Sequence, residues 1–378
     1  MSTVSISLPR VLAHRHLAAL DWQLVLYLLL LVAFGWILGF SAGFGSEPTA
    51  GTLSQSVRTL IWLAAGLAAF VVAAAMDYRW LRTAAVPLYL LTLGLLVLTL
   101  VIGSDTDGSQ LSVSFGGLAF QFSEISKVLV TVVLAAFLAS RGERVGRLST
   151  IVGALLLVGL PAFLVFRQPD LGTALVFGAI VLAMLFMAGA SVGWLVALGG
   201  LLVAALPALI GSLHEYQRAR LLCFLDPSAD VQGACYQLSQ SISAVGSGGL
   251  VGQGLTAGRH NQLGYLPVQS TDFIFTVVAE ELGFVGSMVL LVLFGLLVWR
   301  ILRVAWTAPD ALGRLLAVGV AAVIVFQVLI NVGMVTGIMP VTGIPLPFIT
   351  YGGSSLVSLC IGLGLVASVG VHADRHRF

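Results

Sequence analysis

The sequence has very little charge. Of 378 residues, 9% are charged, with 18 lysine and arginine and 16 aspartate and glutamate residues. A soluble domain carries about 25% charged residues, and so few cannot cover a water-facing surface. The scarcity excludes a soluble enzyme, a disordered chain and a nucleic-acid-binding protein. Hydrophobic residues make up 59% of the chain, a composition typical of a protein that crosses a membrane several times.

Cysteine and histidine are also scarce, at 3 and 6 residues. Their irregular spacing encodes neither a zinc site nor a disulfide framework, so no metal site is predicted, and His260 is expected to be a solvated loop residue. A Walker A loop is absent, which argues against ATP hydrolysis. Gly252-Gln253-Gly254 fits a loose dinucleotide fingerprint, but it lacks the strand–helix unit that this site requires.

Long apolar runs dominate the rest of the chain. A helix needs about 20 apolar residues to cross a bilayer core. This length predicts about ten spans, near 22–41, 58–76, 83–103, 123–140, 149–166, 171–190, 192–212, 273–299, 312–338 and 353–373. The predicted fold class is an all-α integral membrane protein, one polytopic domain over residues 1–378. Its other parts are an N-terminal tail at 1–21, a long loop at 213–272 between spans seven and eight, and a C-terminal tail at 374–378.

The basic residues set the orientation, because short cytoplasmic loops are enriched in lysine and arginine. With both termini in the cytoplasm, twelve of the 18 basic residues lie in cytoplasmic tails and short loops: Arg10, Arg15, Arg79, Arg82, Arg141, Arg144, Arg147, Arg300, Arg303, Arg314, Arg375 and Arg377. This topology places the 213–272 loop outside the cytoplasm. A loop of that length is expected to be functional and to contain short helices lying on the membrane surface.

A few charges lie within or beside the spans, where each costs at least about 2.5–3.5 kcal/mol. Glu124 and Lys127, three residues apart, share a helix face and can pair. Such a pair either locks two helices together or lines a polar cavity. Asp170 follows a polar corner and can cap the next helix, where a carboxylate is favoured. Glu280 lies near two glycines in the eighth span and is a further candidate for a cavity.

Asp272 lies where the long loop enters the membrane, directly before the apolar run that begins at Phe273. Partial desolvation there raises the pKa of a carboxylate into the range useful for a general base. The alternative is an N-cap for the eighth helix.

Two of the three cysteines, Cys223 and Cys235, fall in the same outer loop. An oxidising exterior would allow them to form a disulfide; the alternative is two free thiols. Cys360 lies in the middle of the tenth span and is expected to pack in the core.

Several long motifs occur in a fixed order. They are Ser123–Lys127, Arg167–Thr173, Phe224–Pro227 with Gly233–Gln237, Ala244–Leu250, Thr271–Phe275, Ala279–Gly283 and the closing stretch Met339–Ser355. Together they resemble the SEDS family (shape, elongation, division and sporulation). Val341-Thr342-Gly343 is similar to the RodA-type elongation branch, since the FtsW-type division branch usually has Thr-Lys-Gly there.

The resemblance implies a peptidoglycan glycosyltransferase that polymerises lipid II on the outer face of the bacterial cytoplasmic membrane during elongation, with a class B penicillin-binding protein as partner. It implies that Asp272 is the essential acid. The leaving diphosphate needs positive charge, for which Arg218, Arg220 and Arg259 are candidates, and Ser354 of the closing motif is expected to line the cavity. A divalent cation could assist, although the sequence shows no ligand cluster. Membrane lipids are further expected partners; nucleic acid is not.

The chain departs from the family in one loop. Members often carry Gly-x-x-Arg-Trp before the fourth span, and here the segment is Gly108-Ser109-Gln110-Leu111-Ser112, so a role for this loop in substrate handling is in doubt. Three other functions remain open. A lipid II flippase could use the same cavity, a non-catalytic scaffold of the elongation machinery needs no catalytic acid, and a secondary transporter would require a repeat of the two halves that the sequence lacks.

Overall fold

The structure is a computed structural model that describes residues 20–42, 55–106, 109–115, 118–213, 215–226, 230, 233, 235–262, 272–350 and 352–374. The predicted tails lie almost entirely outside these residues. The division of the chain into tails, loop and membrane domain therefore stays a prediction.

Ten long helices fill the described part of the chain. They are α1 (Trp22–Ala42), α2 (Gln55–Ala75), α3 (Trp80–Ile102), α4 (Phe122–Arg141), α5 (Leu148–Arg167), α6 (Leu171–Ala188), α7 (Val192–Ser212), α11 (Ile274–Thr307), α12 (Ala311–Val335) and α13 (Gly353–Asp374). Over the described residues, nine of them are long and apolar enough to cross a membrane. The remaining one, α7, occupies the seventh predicted span. The predicted all-α membrane fold with about ten spans is confirmed.

Three shorter helices lie in the segment between spans seven and eight. They are α8 (Glu215–Leu225), α9 (Tyr236–Ser247) and α10 (Arg259–Gln262). The buried residues of α9 are Leu238, Ser241 and Ala244, and this helix packs against α11 and α12. Helix α9 is thus held against the membrane helices rather than extending from them.

A small antiparallel sheet that the sequence analysis did not predict joins α3 to α4. Its strands are β1 (Ser104–Thr106), β2 (Ser109–Phe115) and β3 (Leu118–Phe120), in the order β1-β2-β3. The signal was present, because Leu111, Val113 and Phe115 alternate with polar residues at the period of a strand. The side chains of 104–119, including the loop that departs from the family pattern, lie outside the described set.

The centre of the bundle is formed by α4, α12 and α13. More than 60% of each of their membrane windows is buried, compared with less than 25% for α2 and α3. Lipid tails are as apolar as leucine, so buried residues in these helices indicate packing against other helices and not a hydrophobic effect. The polar residues of α4 and α12 therefore face protein, which is where a site within the membrane has to be built.

The eighth span differs most from its prediction. It was expected to end at residue 299, before Arg300, but α11 continues to Thr307 and is 34 residues long. Arg300 donates from Nε to Oδ2 of Asp21 at 2.6 Å, so this arginine has an acidic partner and does not end the helix. The helix is also broken at Gly283, which has φ 66° and ψ −164°.

A glycine-rich loop, residues 248–258, is hydrogen-bonded to the break. The bonds run from the Gln253 amide to the Glu280 carbonyl, from Gly254 to Glu281, from Phe284 to Gly249 and from Val285 to Leu250, all at 2.9–3.0 Å. A broken helix exposes backbone groups that must be satisfied inside a membrane protein. The glycines that resemble a nucleotide-binding fingerprint therefore allow the backbone of this loop to lie close to the backbone of α11.

Replacing Gly283 with alanine is expected to destabilise the protein. A Cβ there would clash with the Gly252 amide nitrogen, and the left-handed φ adds strain of about 1–3 kcal/mol. We expect a lower midpoint of thermal unfolding for the purified protein in detergent. Gly295→Ala is the matched control, because it lies in the same helix and its Cβ would have no neighbour within 4 Å. Equal midpoints for the two variants would contradict the close backbone approach.

Candidate active site

Asp272 immediately precedes α11, and its side chain is half-buried. The N-cap position of this helix is occupied by Phe273, so the Asp272 carboxylate is not the helix cap that was considered as its alternative role. The backbone carbonyl of Asp272 is fixed instead, since it accepts a hydrogen bond from Nδ2 of Asn331 at 2.9 Å. The carboxylate is thus held in place by its backbone and left available for other contacts.

The irregular segment 336–350, between α12 and α13, forms one wall of the site. Asn331 also donates to the Ile344 carbonyl, at 2.7 Å, and so ties this segment to the start of α11. Gly343 has φ 74°, and a Cβ built on it would lie 3.3 Å from Oδ2 of Asp272 and 3.8 Å from Nη1 of Arg220. The absence of a side chain at Gly343 lets this backbone approach both Asp272 and Arg220, which therefore lie close to the same position.

Burial and two charged neighbours set the acidity of Asp272. Burial is the largest influence and raises the pKa of the carboxyl to about 6; the Arg220 guanidinium lowers this pKa, and the Asp170 carboxylate raises it. A carboxyl with a pKa near 6 is mostly ionised at neutral pH and more basic than an ordinary aspartate. Both properties suit a general base.

Asp170 caps α6, as predicted. Its Oδ1 accepts from the Thr173 amide at 2.9 Å, and its Oδ2 accepts from the Ser123 hydroxyl at 3.2 Å and the Gln121 amide group at 3.3 Å. Burial raises the pKa of the Asp170 carboxyl. This residue therefore links the start of α6 to the start of α4 while its charge acts on Asp272.

Glu124 and Lys127 form the pair that their spacing predicts. Nζ of Lys127 lies 2.7 Å from Oε1 of Glu124, and each side chain is only 2% exposed. The charges of both residues act on the Asp170 carboxyl, so the pair lies beside it. Glu124, Lys127, Asp170, Asp272 and Arg220 form one continuous line of charged groups, which we call the charged strip.

Polar atoms without partners surround the charged strip. Within the part of the chain that the structure describes, no hydrogen bond reaches Oε2 of Glu124, Oε1 of Gln168, Oδ1 of Asn331 or Oγ1 of Thr342. Buried polar atoms are normally satisfied, and exceptions mark a place for water or a ligand. These acceptor oxygens can receive hydroxyl groups, whereas phosphate oxygens need donors, which the Arg220 guanidinium supplies.

Gln327 and Asn331 were missed in the sequence analysis. Gln327 is fully buried and both polar atoms of its amide lack partners among the described residues. Gly319 of α12 packs against Thr131 of the antiparallel α4. Gln327 lies eight residues after Gly319, and Ser123 lies eight residues before Thr131, so both are at the level of the charged strip. Two amide side chains in an otherwise apolar span were a usable signal.

The three outer arginines have different positions. Arg220 lies beside Asp272, whereas Arg218, on the same helix, donates to the carbonyls of Ile210 and Gly211 at the end of α7. This arrangement caps α7, because its last carbonyls lack partners within the helix. Arg259 is exposed in α10. Among the described arginines of this loop, only Arg220 is brought to Asp272.

Glu280 lies in a second cluster, and the expectation for His260 was wrong. The carboxylate of Glu280, 1% exposed, accepts from both the backbone amide and Nδ1 of His260 at 2.9 Å. His260 is thus a half-buried partner that fastens α10 to α11, not a solvated loop residue. Glu281 accepts from the Ser41 hydroxyl, so the two adjacent glutamates bind different segments.

Ser354 and the cysteines complete the predicted set. Ser354 is buried in the first turn of α13, beside Gly353, which packs against the Trp62 ring. Cys223 and Cys235 are joined by a disulfide with an S–S distance of 2.01 Å. Cys360 is a buried free thiol. Within the described ranges, no three His, Cys, Asp or Glu residues are grouped as a metal site requires.

Known proteins share both the sequence and the fold. The family model of the FtsW, RodA and SpoVE cell cycle proteins matches residues 21–375. Peptidoglycan glycosyltransferase MrdB of Escherichia coli K12 is 39% identical over 356 residues, 93% of this chain and 94% of that protein. A solved peptidoglycan synthase complex that coordinates polymerization and crosslinking contains a chain with a TM-score of 0.78 and 34% identity, covering 95% of this chain and 99% of that one.

A crystal structure of the Thermus thermophilus rod shape determining protein RodA is also similar, with a TM-score of 0.70 and 32% identity over 94% of this chain and 98% of that one. With the apolar helices described above, these relatives identify a multi-pass protein of the bacterial inner membrane. The motifs of the sequence, the ten-helix fold and the matches over more than 90% of the chain agree. The chain belongs to the SEDS family of FtsW, RodA and SpoVE cell cycle proteins and is of the RodA type.

Proposed function

We propose that this chain is a peptidoglycan glycosyltransferase of cell elongation that polymerises lipid II, with Asp272 as the general base. One observation carries the proposal. A half-buried carboxylate, more basic than an ordinary aspartate, lies with an arginine next to the Gly343 backbone. A glycosyl transfer to a hydroxyl with a diphosphate leaving group needs this combination of a base and a cation.

The reaction follows from the positions of the two groups. The Asp272 carboxylate takes the proton of the acceptor sugar 4-hydroxyl while the hydroxyl oxygen forms a bond to the anomeric carbon of the growing chain. The bond from that carbon to the diphosphate oxygen breaks, and the lipid diphosphate leaves with the bonding electrons. A positioned general base accelerates such a step by about 10²–10⁴-fold.

Arg220 is the proposed cation for the leaving diphosphate. A guanidinium binds phosphate oxygens through two parallel hydrogen bonds and stays charged at all working pH values. Of the basic residues of this region, Arg220 is the one whose charge acts on Asp272, whereas Lys127 lies next to Glu124 and Arg218 at the end of α7. The unpartnered polar atoms of Asn331 and Thr342 are suited to binding sugar hydroxyls.

An apolar groove beside the site is suited to the polyprenyl tail. It lies between α9, α11 and α12, has a volume of about 310 Å³, and is lined by side chains that include Val245, Phe275, Ala279, Met288 and Val332. Phe275 is three residues from Asp272 along the chain, so the groove begins about one helical turn from the base. A lipid tail there would leave its headgroup near the charged strip.

The site is proposed to face the outside, with both termini in the cytoplasm. The twelve basic residues of the tails and short loops support this orientation. The Cys223–Cys235 disulfide supports it independently, because disulfides persist in oxidising compartments such as the bacterial periplasm. The disulfide lies in the same segment as Arg220, which supports a site on the oxidising side.

The proposed partner is a class B penicillin-binding protein, whose transpeptidase would crosslink the strands. The test is reconstitution of the purified chain with lipid II, with and without such a partner and with and without a divalent cation. Glycan strands on a gel are the expected product in the complex. Lipid II crossing liposome membranes without polymer formation would instead indicate a flippase, and neither activity would indicate a scaffold.

A further inference from the structure

Helix α8, which carries Arg220, is largely exposed. Of its described side chains, only Gln217 and Cys223 are buried, while Leu222 and Leu225 are 63% and 72% exposed. Gln217 donates from Nε2 to the Pro169 carbonyl at 3.2 Å, next to Asp170. An 11-residue helix is marginal by itself in water, so its position depends on its attachments to the rest of the protein, which include this hydrogen bond and those of Arg218 to the end of α7.

Another attachment of α8 is covalent. Cys223 is bonded to Cys235, the residue that precedes α9. That helix is firmly packed, and Ser241 on its buried face donates to the Val335 carbonyl at 2.9 Å and lies 3.1 Å from the Thr276 hydroxyl. Thr276 is in the first turn of α11, which begins shortly after Asp272. The disulfide thus connects α8 to the same frame that holds the base.

The three residues Gln217, Arg220 and Cys223 follow one another at intervals of three along α8. Residues at this spacing share one helix face, so the buried residues Gln217 and Cys223 lie on the face that presents Arg220. We propose that the Cys223–Cys235 disulfide positions Arg220 against Asp272 and that glycan polymerisation depends on this bond being formed. The inference rests on the proposed function and adds a positioning role for two residues that do not touch substrate.

The consequence of losing the bond follows from the charges around Asp272. Arg220, from α8, stabilises the ionised carboxylate, and Asp170, from the start of α6, opposes ionisation. Without the disulfide, the second half of α8 loses its covalent link to the residue before α9, and the guanidinium shifts away from the carboxylate while Asp170 stays with α6. The carboxylate then needs a higher pH to ionise, and the leaving diphosphate loses its cation. A displacement of about 1 Å can cost about 100-fold in rate.

The test compares variants of the complex with its penicillin-binding partner, using lipid II as the probe. Cys223→Ser/Cys235→Ser is expected to polymerise about 10-fold to 100-fold more slowly than wild type, with the acid limb of its pH–rate profile moved to higher pH. Arg220→Ala is expected to show the same two changes. Cys360→Ala removes a buried thiol elsewhere and is expected to leave both quantities unchanged.

The decisive arm adds the serine pair to Arg220→Ala. If the disulfide acts through Arg220, the triple variant polymerises no more slowly than Arg220→Ala alone. Two results would overturn the inference. One is that the two cysteine substitutions slow polymerisation by the same factor in wild type and in Arg220→Ala. The other is that Cys223→Ser/Cys235→Ser has the wild-type rate and pH–rate profile. Polymer formation by wild type tests the proposed function, whereas the ratio of variant to wild type tests the disulfide.

A second measurement tests the inference if the Cys223→Ser/Cys235→Ser variant does not fold. Folded Cys360→Ala protein is reduced with dithiothreitol and alkylated, and loss of the disulfide is verified by mass. Slower polymerisation with the displaced acid limb supports the inference, and an unchanged rate after complete reduction refutes it.

Discussion

Asp272→Asn is expected to abolish glycan polymerisation, lowering the rate by about 10²–10⁴-fold. The asparagine has the same shape but cannot accept the hydroxyl proton. The fold is expected to survive, because Asn331 binds the backbone carbonyl of residue 272 and not its side chain. Initial rates of polymer formation from lipid II, measured in the complex with the partner, test this loss.

Glu143→Gln is the matched control for Asp272→Asn. It also converts one acid to its amide, at an exposed residue of the short helical turn Gly142–Gly146. We expect wild-type polymerisation from it. If Asp272→Asn retained more than about a tenth of the wild-type rate, the carboxylate would not be the base.

Lys127→Met is expected to have the largest effect on stability. Lys127 and Glu124 are both buried and paired, and removing one partner leaves an uncompensated charge in the interior. Breaking a buried pair in this way costs about 3–5 kcal/mol. The free energy of unfolding of the purified protein in mixed micelles is the quantity to measure.

The double variant Glu124→Gln/Lys127→Met separates charge from packing. Replacing both charged groups of a buried pair is often nearly neutral, so the double variant is expected to be more stable than Lys127→Met alone. A double variant as unstable as the sum of both single changes would show that the two side chains act independently. That result would contradict the pairing.

Local spacing was sufficient for part of the site. Glu124 and Lys127 pair because they lie three residues apart on one helix, and Asp170 caps α6 because it directly precedes that helix. For Asp272, the position before an apolar span left both a helix cap and a general base open, and the resemblance of the motif Thr271–Phe275 to the SEDS family favoured the base. Each of these conclusions depends on a short stretch of sequence and on the membrane as solvent.

The remaining features depend on contacts between distant segments. Asn331 binds the carbonyl of Asp272, which lies 59 residues away, and the glycine loop binds a helix break that no local pattern marks. Arg218 and Arg220 are two residues apart, and the sequence cannot say which of them faces Asp272. That choice is made by the packing of α8, through Gln217 and the disulfide.

The pH–rate profile of the wild-type complex tests the role of Asp272 most directly. Since the base acts when deprotonated and burial raises its pKa to about 6, kcat/KM is expected to be constant near pH 8 and to bend downward near pH 6. Below the bend it should fall about tenfold per pH unit. A profile that stays flat to about pH 5, with the protein still folded, would contradict Asp272 as the general base.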